Sequence, residues 1–303
     1  MLRSVIVAVS AVLGAVAVVP TAAAEDDPVL VGNATGGGWV AGADGGHPPT
    51  PAEAKVLAAK MAIWDAYDAF TSGTISRSEF DATFAHNATA ANLAPEAAEP
   101  TPLRPPPCGD IDDPCPDVVL DVAHVGQSTN YYCGPASGVM IARYMGKGRS
   151  AHTGAGLTQV KMANVAHMHT EETGSTPYAS GKFTRGLNKW MYGKDGVDWR
   201  FAQIDNPTVK RFKQALRWNI DRWVPIGVST VEWQSEGSYN GHQFESADDP
   251  IGHWIVSRGY RNHGRRVLLL DPATTVWSTT EPRINRDTSS IVTRYVDNGI
   301  SAT

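Results

Sequence analysis

Basic charge is scarce in this chain. It has 26 Lys and Arg against 31 Asp and Glu, for a net charge of −5. No stretch concentrates the positive residues, which excludes a nucleic-acid surface. Long apolar runs are scarce too: beyond the first residues, no segment is apolar enough to cross a bilayer. No internal repeat is visible. Cysteine is scarcest of all, with only Cys108, Cys115 and Cys133. In an oxidising compartment an odd count leaves one thiol over. Cys108 and Cys115 bracket a polar, Pro-containing loop (CGDIDDPC) that can close on itself, so they are expected to pair and leave Cys133 free. Asp110, Asp112, Asp113 and Asp117 then read as a solvated loop around that bridge.

The one apolar run that does occur is informative. Residues 1–24 open with Met1-Leu2-Arg3, continue apolar over 5–19, and end in small residues ahead of Glu25-Asp26-Asp27. A short positive start, an apolar stretch and an A-x-A site read as a cleaved secretory signal. No cysteine follows the run to carry a lipid. A secreted protein with no membrane attachment after cleavage is therefore expected.

Residues 25–50 are rich in Gly, Ala and Pro without apolar period and are expected to be a flexible leader. Thr50-Pro51-Ala52-Glu53 then carries helix-start chemistry: a Thr cap, Pro in the first turn and an acid three residues on. Val56, Leu57, Met61, Ile63, Trp64, Tyr67 and Phe70 follow near helical spacing. A second helix over 77–86 carries Phe80 and Phe84 on one face, and 87–107 is a Pro-rich linker. Residues 51–107 are thus expected to be a helical accessory or pro-segment. Positions 68–79 partly match an EF-hand loop, but Phe70 stands at the third position and cannot ligate calcium. A plain helix–turn–helix is the expectation.

The main domain is expected over 108–303. A probable extended segment at 118–122 and helices after Cys133 and within 208–223 come first. Strands around 225–229, 253–257 and 266–270 follow, the last two joined by the Gly-containing turn RGYRNHGR. Helices first and strands afterwards indicate an α+β domain.

Chemistry concentrates around Cys133. Gly134-Pro135 follows it directly, and the run 136–144 is apolar enough for a buried helix. The sulfur would stand at a helix N-terminus, where the dipole favours the thiolate that acyl transfer requires. Gln127, six residues earlier, offers an amide donor for a developing oxyanion, with the Cys133 backbone N–H as a second. His253 opens an apolar strand and is the candidate base; Asp271 closes the next strand and is placed to orient it. His242 is a rival base in a polar loop (YNGHQFESADDP). His167 and His169 lack a neighbouring thiol or acid at metal spacing and are expected in a solvated loop. The tryptophans at 190, 199, 218, 223, 233 and 254 read as core and cleft wall.

Gln127, Cys133-Gly134-Pro135-Ala136, His253-Trp254-Ile255-Val256 and Asp271-Pro272-Ala273, in this order, resemble the C39 and C39-like peptidases of the papain-like superfamily. The resemblance covers roughly residues 120–275. It implies a papain-like α+β fold, a helical part plus an antiparallel sheet. It also implies a cysteine peptidase with Cys133 as nucleophile, His253 as base, Asp271 as orienter and Gln127 in the oxyanion hole. No metal or cofactor is called for. The implied partner is a protein or peptide substrate, cell-wall peptide included. Transporter and ATPase domains that accompany bacteriocin-processing members are missing from this chain, so their double-glycine substrate is not carried over. Neither cleavage preference nor oligomeric state follows from the residues. A non-enzymatic binding module on the same fold and a cell-wall peptide amidase are the alternative readings.

Overall fold

The computed structural model describes residues 50–93, 115–246, 248–296 and 298–303. The expected signal at 1–24, the leader up to residue 49, most of the linker and Cys108 lie outside the described residues. The Cys108–Cys115 pairing and most of the acidic loop around it lie there too. Cys133 is the free cysteine among the described residues. No helix among them is long and apolar enough to cross a membrane.

Helix α1 (Pro51–Thr71) starts as its sequence dictates. The Thr50 side chain accepts from the Glu53 backbone N–H, and the Glu53 carboxylate accepts from the Thr50 N–H at 2.7 Å. Ser76 and Glu79 repeat this box at the start of α2 (Arg77–Asn87), with Gly73 turning the chain at φ +73°. Both acids of the EF-hand-like stretch are therefore engaged by protein. Asp68 takes the Arg217 guanidinium at 3.1 Å and Glu79 caps α2, so the stretch is the helix–turn–helix expected.

The pair is not loosely attached. α1 packs on α7 (Val209–Ile220). Tyr67, Phe80 and Phe84 all lie against Trp218 with ring centroids 5.3–6.3 Å apart. Tyr67 Oη donates to Asp221 Oδ2 at 2.8 Å, and Tyr260 Oη donates to the other oxygen at 2.6 Å. Ile63 and Trp64 are fully buried, each stabilising the joint by about 1.5–3 kcal/mol. Lys60 is buried as well and donates to the Arg200 carbonyl at 2.9 Å. Burial first, then the charges of Arg222 and Arg200, holds its pKa well below the ordinary lysine value.

The remaining elements form an α+β body. In chain order they are β1 (Val118–Val119), α3 (Cys133–Tyr144), α4 (Gln159–Ala163), α5 (Thr170–Thr173), α6 (Lys182–Tyr192) and β2 (Ala202–Asp205). After α7 come β3 (Ile226–Glu232), β4 (Ile251–Arg261), β5 (Arg266–Leu270), β6 (Arg283–Asp287), α8 (Thr288–Arg294) and β7 (Gly299–Ala302). The strands make one antiparallel sheet, ordered β2-β7-β3-β4-β5-β6, with β1 added along β4. Mixed helices on an antiparallel sheet is the class expected of the papain-like fold.

The β4–β5 hairpin turns at Asn262, His263 and Gly264, all with positive φ, where only the last is free of Cβ strain. Register slips at Ser257/Gly259, a bulge that lets β4 pair with β3 at one end and β1 at the other. The expected extended segment at 118–122 is a strand for two residues only, because β1 meets β4 only beyond that bulge.

Candidate active site

Three motifs far apart in sequence meet where α3 abuts β4. Cys133 is the first residue of α3, half-buried, and no side chain caps the helix there. Its first-turn N–H groups and the positive end of the dipole therefore face the sulfur. Gly134 is required by crowding: a Cβ at that position would overlap Thr176 Oγ1. Ser137 Oγ, one turn further along α3, donates to the Trp254 carbonyl at 3.0 Å and fixes the helix to the strand that carries His253. The Trp254 indole is itself clamped, stacked on Phe183 at 3.9 Å and donating to the Thr176 carbonyl at 2.7 Å.

His253 lies on β4 opposite Thr230 of β3, and its Nε2 donates to Asp271 Oδ1 at 2.8 Å. Cys133 approaches the same imidazole from the start of α3, which packs on β4, and contributes to raising its pKa. Since Nε2 is occupied by Asp271, Nδ1 is the nitrogen left for Cys133. Burial opposes a charge on His253, but the Asp271 carboxylate, with a further contribution from Cys133, outweighs it. The pKa is pushed from 6.5 up to about 10.

Asp271 follows β5 and caps the 3₁₀ turn Pro272–Thr275. Both of its oxygens are fully used. Oδ1 accepts from His253 and from the Ala273 N–H at 2.9 Å; Oδ2 accepts from His242 Nε2 and Asn240 Nδ2, each at 2.9 Å. Burial would raise its pKa, but the charge of His253 and the hydrogen bond from His242 hold the carboxyl well below the ordinary value.

His242 departs from the loosely held loop residue its neighbours in sequence suggest. It is 4% exposed, and its second nitrogen, Nδ1, is hydrogen-bonded with Glu232 Oε1. The imidazole lies against Trp277 at 4.7 Å and Tyr239 at 5.2 Å. Glu232, the last residue of β3, is fully buried and carried no signal in the sequence. Among the described residues, His242, His253 and Asp271 form the grouping whose potential metal-ligand atoms approach within 4.8 Å of one another. Those atoms are already matched as hydrogen-bond donors and acceptors, so the trio is a proton-held network.

Gln127 sits on the loop leading into α3 and is 2% exposed. Its backbone N–H donates to the Pro272 carbonyl at 2.8 Å, and its carbonyl accepts from Thr275 Oγ1. The Gln motif is thus bound to the Asp-Pro turn. One N–H of the side-chain amide donates to the Thr129 carbonyl at 2.8 Å, while Oε1 has no protein partner.

The His-Met-His pair is not the solvated loop expected. His167 is buried, bonded to Ser150 Oγ at 2.8 Å and near the Lys161 carbonyl at 2.9 Å. Burial pushes its pKa down to about 4, so it serves as a neutral core residue. His169 pairs with Glu172 at 2.5 Å. Of the tryptophans, Trp190, Trp218 and Trp254 are core, whereas Trp233 is 39% exposed.

A thiol at a helix start, an imidazole on a neighbouring strand and a carboxylate behind it define the cysteine-peptidase class of site. The match to a family model agrees with that class. The model of the Peptidase_C39 like family matches residues 119–299, and the chain belongs to that family. Among solved structures, one that is similar over 62% of this chain and 86% of its own is xylellain, a cysteine protease from Xylella fastidiosa. It has 12% identity and a TM-score of 0.32, too distant to carry any argument here. Among curated proteins none matches significantly.

Proposed function

We propose that the chain is an exported peptidase that cleaves peptide bonds through a thioester on Cys133. The observation that carries the reading is the Cys133 thiol at the start of α3, packed on the strand β4 whose His253 imidazole is held by Asp271 at 2.8 Å. The Cys133 thiolate attacks the peptide carbonyl, and the oxyanion is met by the Cys133 N–H and the Gln127 amide. The C–N bond breaks as His253 gives its proton to the leaving amine. Water then yields a proton to His253 and its oxygen to the acyl carbon. The C–S bond breaks, the acid departs, and the thiolate–imidazolium pair is restored. Asp271 holds the imidazole in one tautomer and orientation throughout.

The reading of residues 1–24 as an export signal places the substrates outside the cytoplasm, as protein or peptide chains. The test is incubation with a thiol-directed peptide electrophile followed by mapping of the adduct. Labelling is expected at Cys133 and should collapse in His253→Ala. A label elsewhere, or equal labelling in that variant, would sink the assignment.

A further inference from the structure

We infer that His242 and Glu232 are positioning residues of the same site, extending the three-residue arrangement into a buried chain Glu232–His242–Asp271–His253–Cys133. The inference rests on the peptidase reading above. It begins with hydrogen counting. Both nitrogens of His242 face carboxylate oxygens, Glu232 Oε1 through Nδ1 and Asp271 Oδ2 through Nε2 at 2.9 Å. Ionised carboxylates only accept, so with both acids ionised each nitrogen carries a proton and His242 is an imidazolium. Burial disfavours that charge, but the hydrogen bonds to Asp271 and Glu232 outweigh it, and the net direction of the pKa is upward.

The groups around His242 come from every neighbouring element. Glu232 ends β3, Asp271 follows β5, His253 is on β4, and the Tyr239 ring lies on the same loop. The Tyr239 hydroxyl, buried beside two carboxylates, is held well above its ordinary pKa and stays neutral. In the protonation pattern inferred, the cluster behind the catalytic pair sums to one negative charge: two carboxylates and one imidazolium. His242 has two effects on it. It fixes the second oxygen of Asp271, and it offsets part of the negative field felt by His253, 5.0 Å away between ring centroids.

Substitutions that change the charge must then move the protonation of the Cys133–His253 pair in a set direction. His242→Gln can keep a hydrogen bond to Asp271 but leaves two unbalanced carboxylates. Both members of the pair will hold their protons more tightly, and the pH midpoint for Cys133 thiolate formation will rise by about one unit or more. Adding Glu232→Gln to that variant restores the single negative charge, and the midpoint will return most of the way to the wild-type value. A purely structural role predicts no such return, since the double variant is the more heavily altered protein.

The assay is the rate of Cys133 alkylation by iodoacetamide against pH in wild type, His242→Gln and His242→Gln/Glu232→Gln, with the site of modification mapped. An upward shift in the single variant, reversed in the double, is the expected result. An unmoved midpoint in His242→Gln, or a double variant no closer to wild type than the single, overturns the inference. Wild-type Cys133 that reacts like an ordinary thiol would instead overturn the peptidase reading, so the two failures are distinct. If the variants do not fold, nitrogen NMR of ¹⁵N-histidine-labelled wild-type protein decides. Two histidines doubly protonated at about pH 8 are expected, where an unperturbed imidazole is neutral. At most one such histidine overturns the proposal.

Discussion

Replacing Asp271 by Asn removes one negative charge while keeping shape almost unchanged, and the structure sets what should follow. Four donors converge on the carboxylate: His253 and the Ala273 N–H on one oxygen, His242 and Asn240 on the other. Whichever side the new NH₂ takes, two of those donors lose an acceptor. The electrostatic loss is larger. Unit charges about 4 Å apart at an effective dielectric of about 20 attract by about 4 kcal/mol. Spent on the imidazolium of the reacting state, that is about three orders of magnitude in rate. The sign of the pH effect is also fixed. His253 is held up at about 10 mainly by Asp271, against the opposing effect of burial. The limb of the activity profile lost as this proton dissociates should stand near pH 10 in wild type. In Asp271→Asn burial prevails, and the limb should fall towards or below the ordinary 6.5. The assay is hydrolysis of a quenched fluorescent peptide that wild type cleaves, read as kcat/KM against pH, with Tm measured alongside. A folded variant within tenfold of wild type, or one whose basic limb has not moved, would refute the reasoning.

Gln127→Ala should lower kcat by about 10²–10³-fold with KM little changed, while iodoacetamide alkylation of Cys133 proceeds at the wild-type rate, because alkylation forms no oxyanion. Slowed alkylation would show that Gln127 acts on the thiol and not on the substrate oxygen. Gly134→Ala should cost about 1–3 kcal/mol by chemical denaturation, since the new methyl overlaps Thr176 Oγ1; an unchanged midpoint would contradict the packing. Starting the chain at residue 108 should yield protein without a cooperative thermal transition, because Trp218 and Asp221 lose their α1 and α2 partners. A soluble fragment with the full-length Tm would show that α1 and α2 are dispensable.

The parts of this protein that could be foreseen are those whose determinants lie close together in sequence. The Thr50–Glu53 and Ser76–Glu79 boxes are local, and α1 and α2 begin where those residues say. Cys133-Gly134-Pro135 likewise announces the start of α3. The hairpin of β4 and β5 is legible from two apolar runs about a Gly-containing turn, although β4 begins at Ile251, two residues before the His253 start expected. Strand β7 was invisible, since its four residues are held by β2 and β3, which are distant in sequence. Helix α6 lies between the Cys133 and His253 motifs, where the sequence pattern predicts a helix only within 208–223. His242 shows the limit most plainly. Its loop is polar by composition, yet Glu232 and Asp271, ten and 29 residues away, together draw it into the interior. Burial of a charged side chain is decided by partners, and partners are set by tertiary pairing.

The position of β7 separates an edge of the sheet from the strands that carry the site. It fills the slot between β2 and β3, and β3 borders β4, the strand that carries His253. Taking β7 away would free only β2 at the edge, while β3, β4, β5 and β6 stay paired with one another. The imidazole and carboxylate are therefore held by strands whose mutual register does not pass through β7, and the thiol by a helix fixed to β4. A change confined to the β2 edge can reach the catalytic groups only by way of β3.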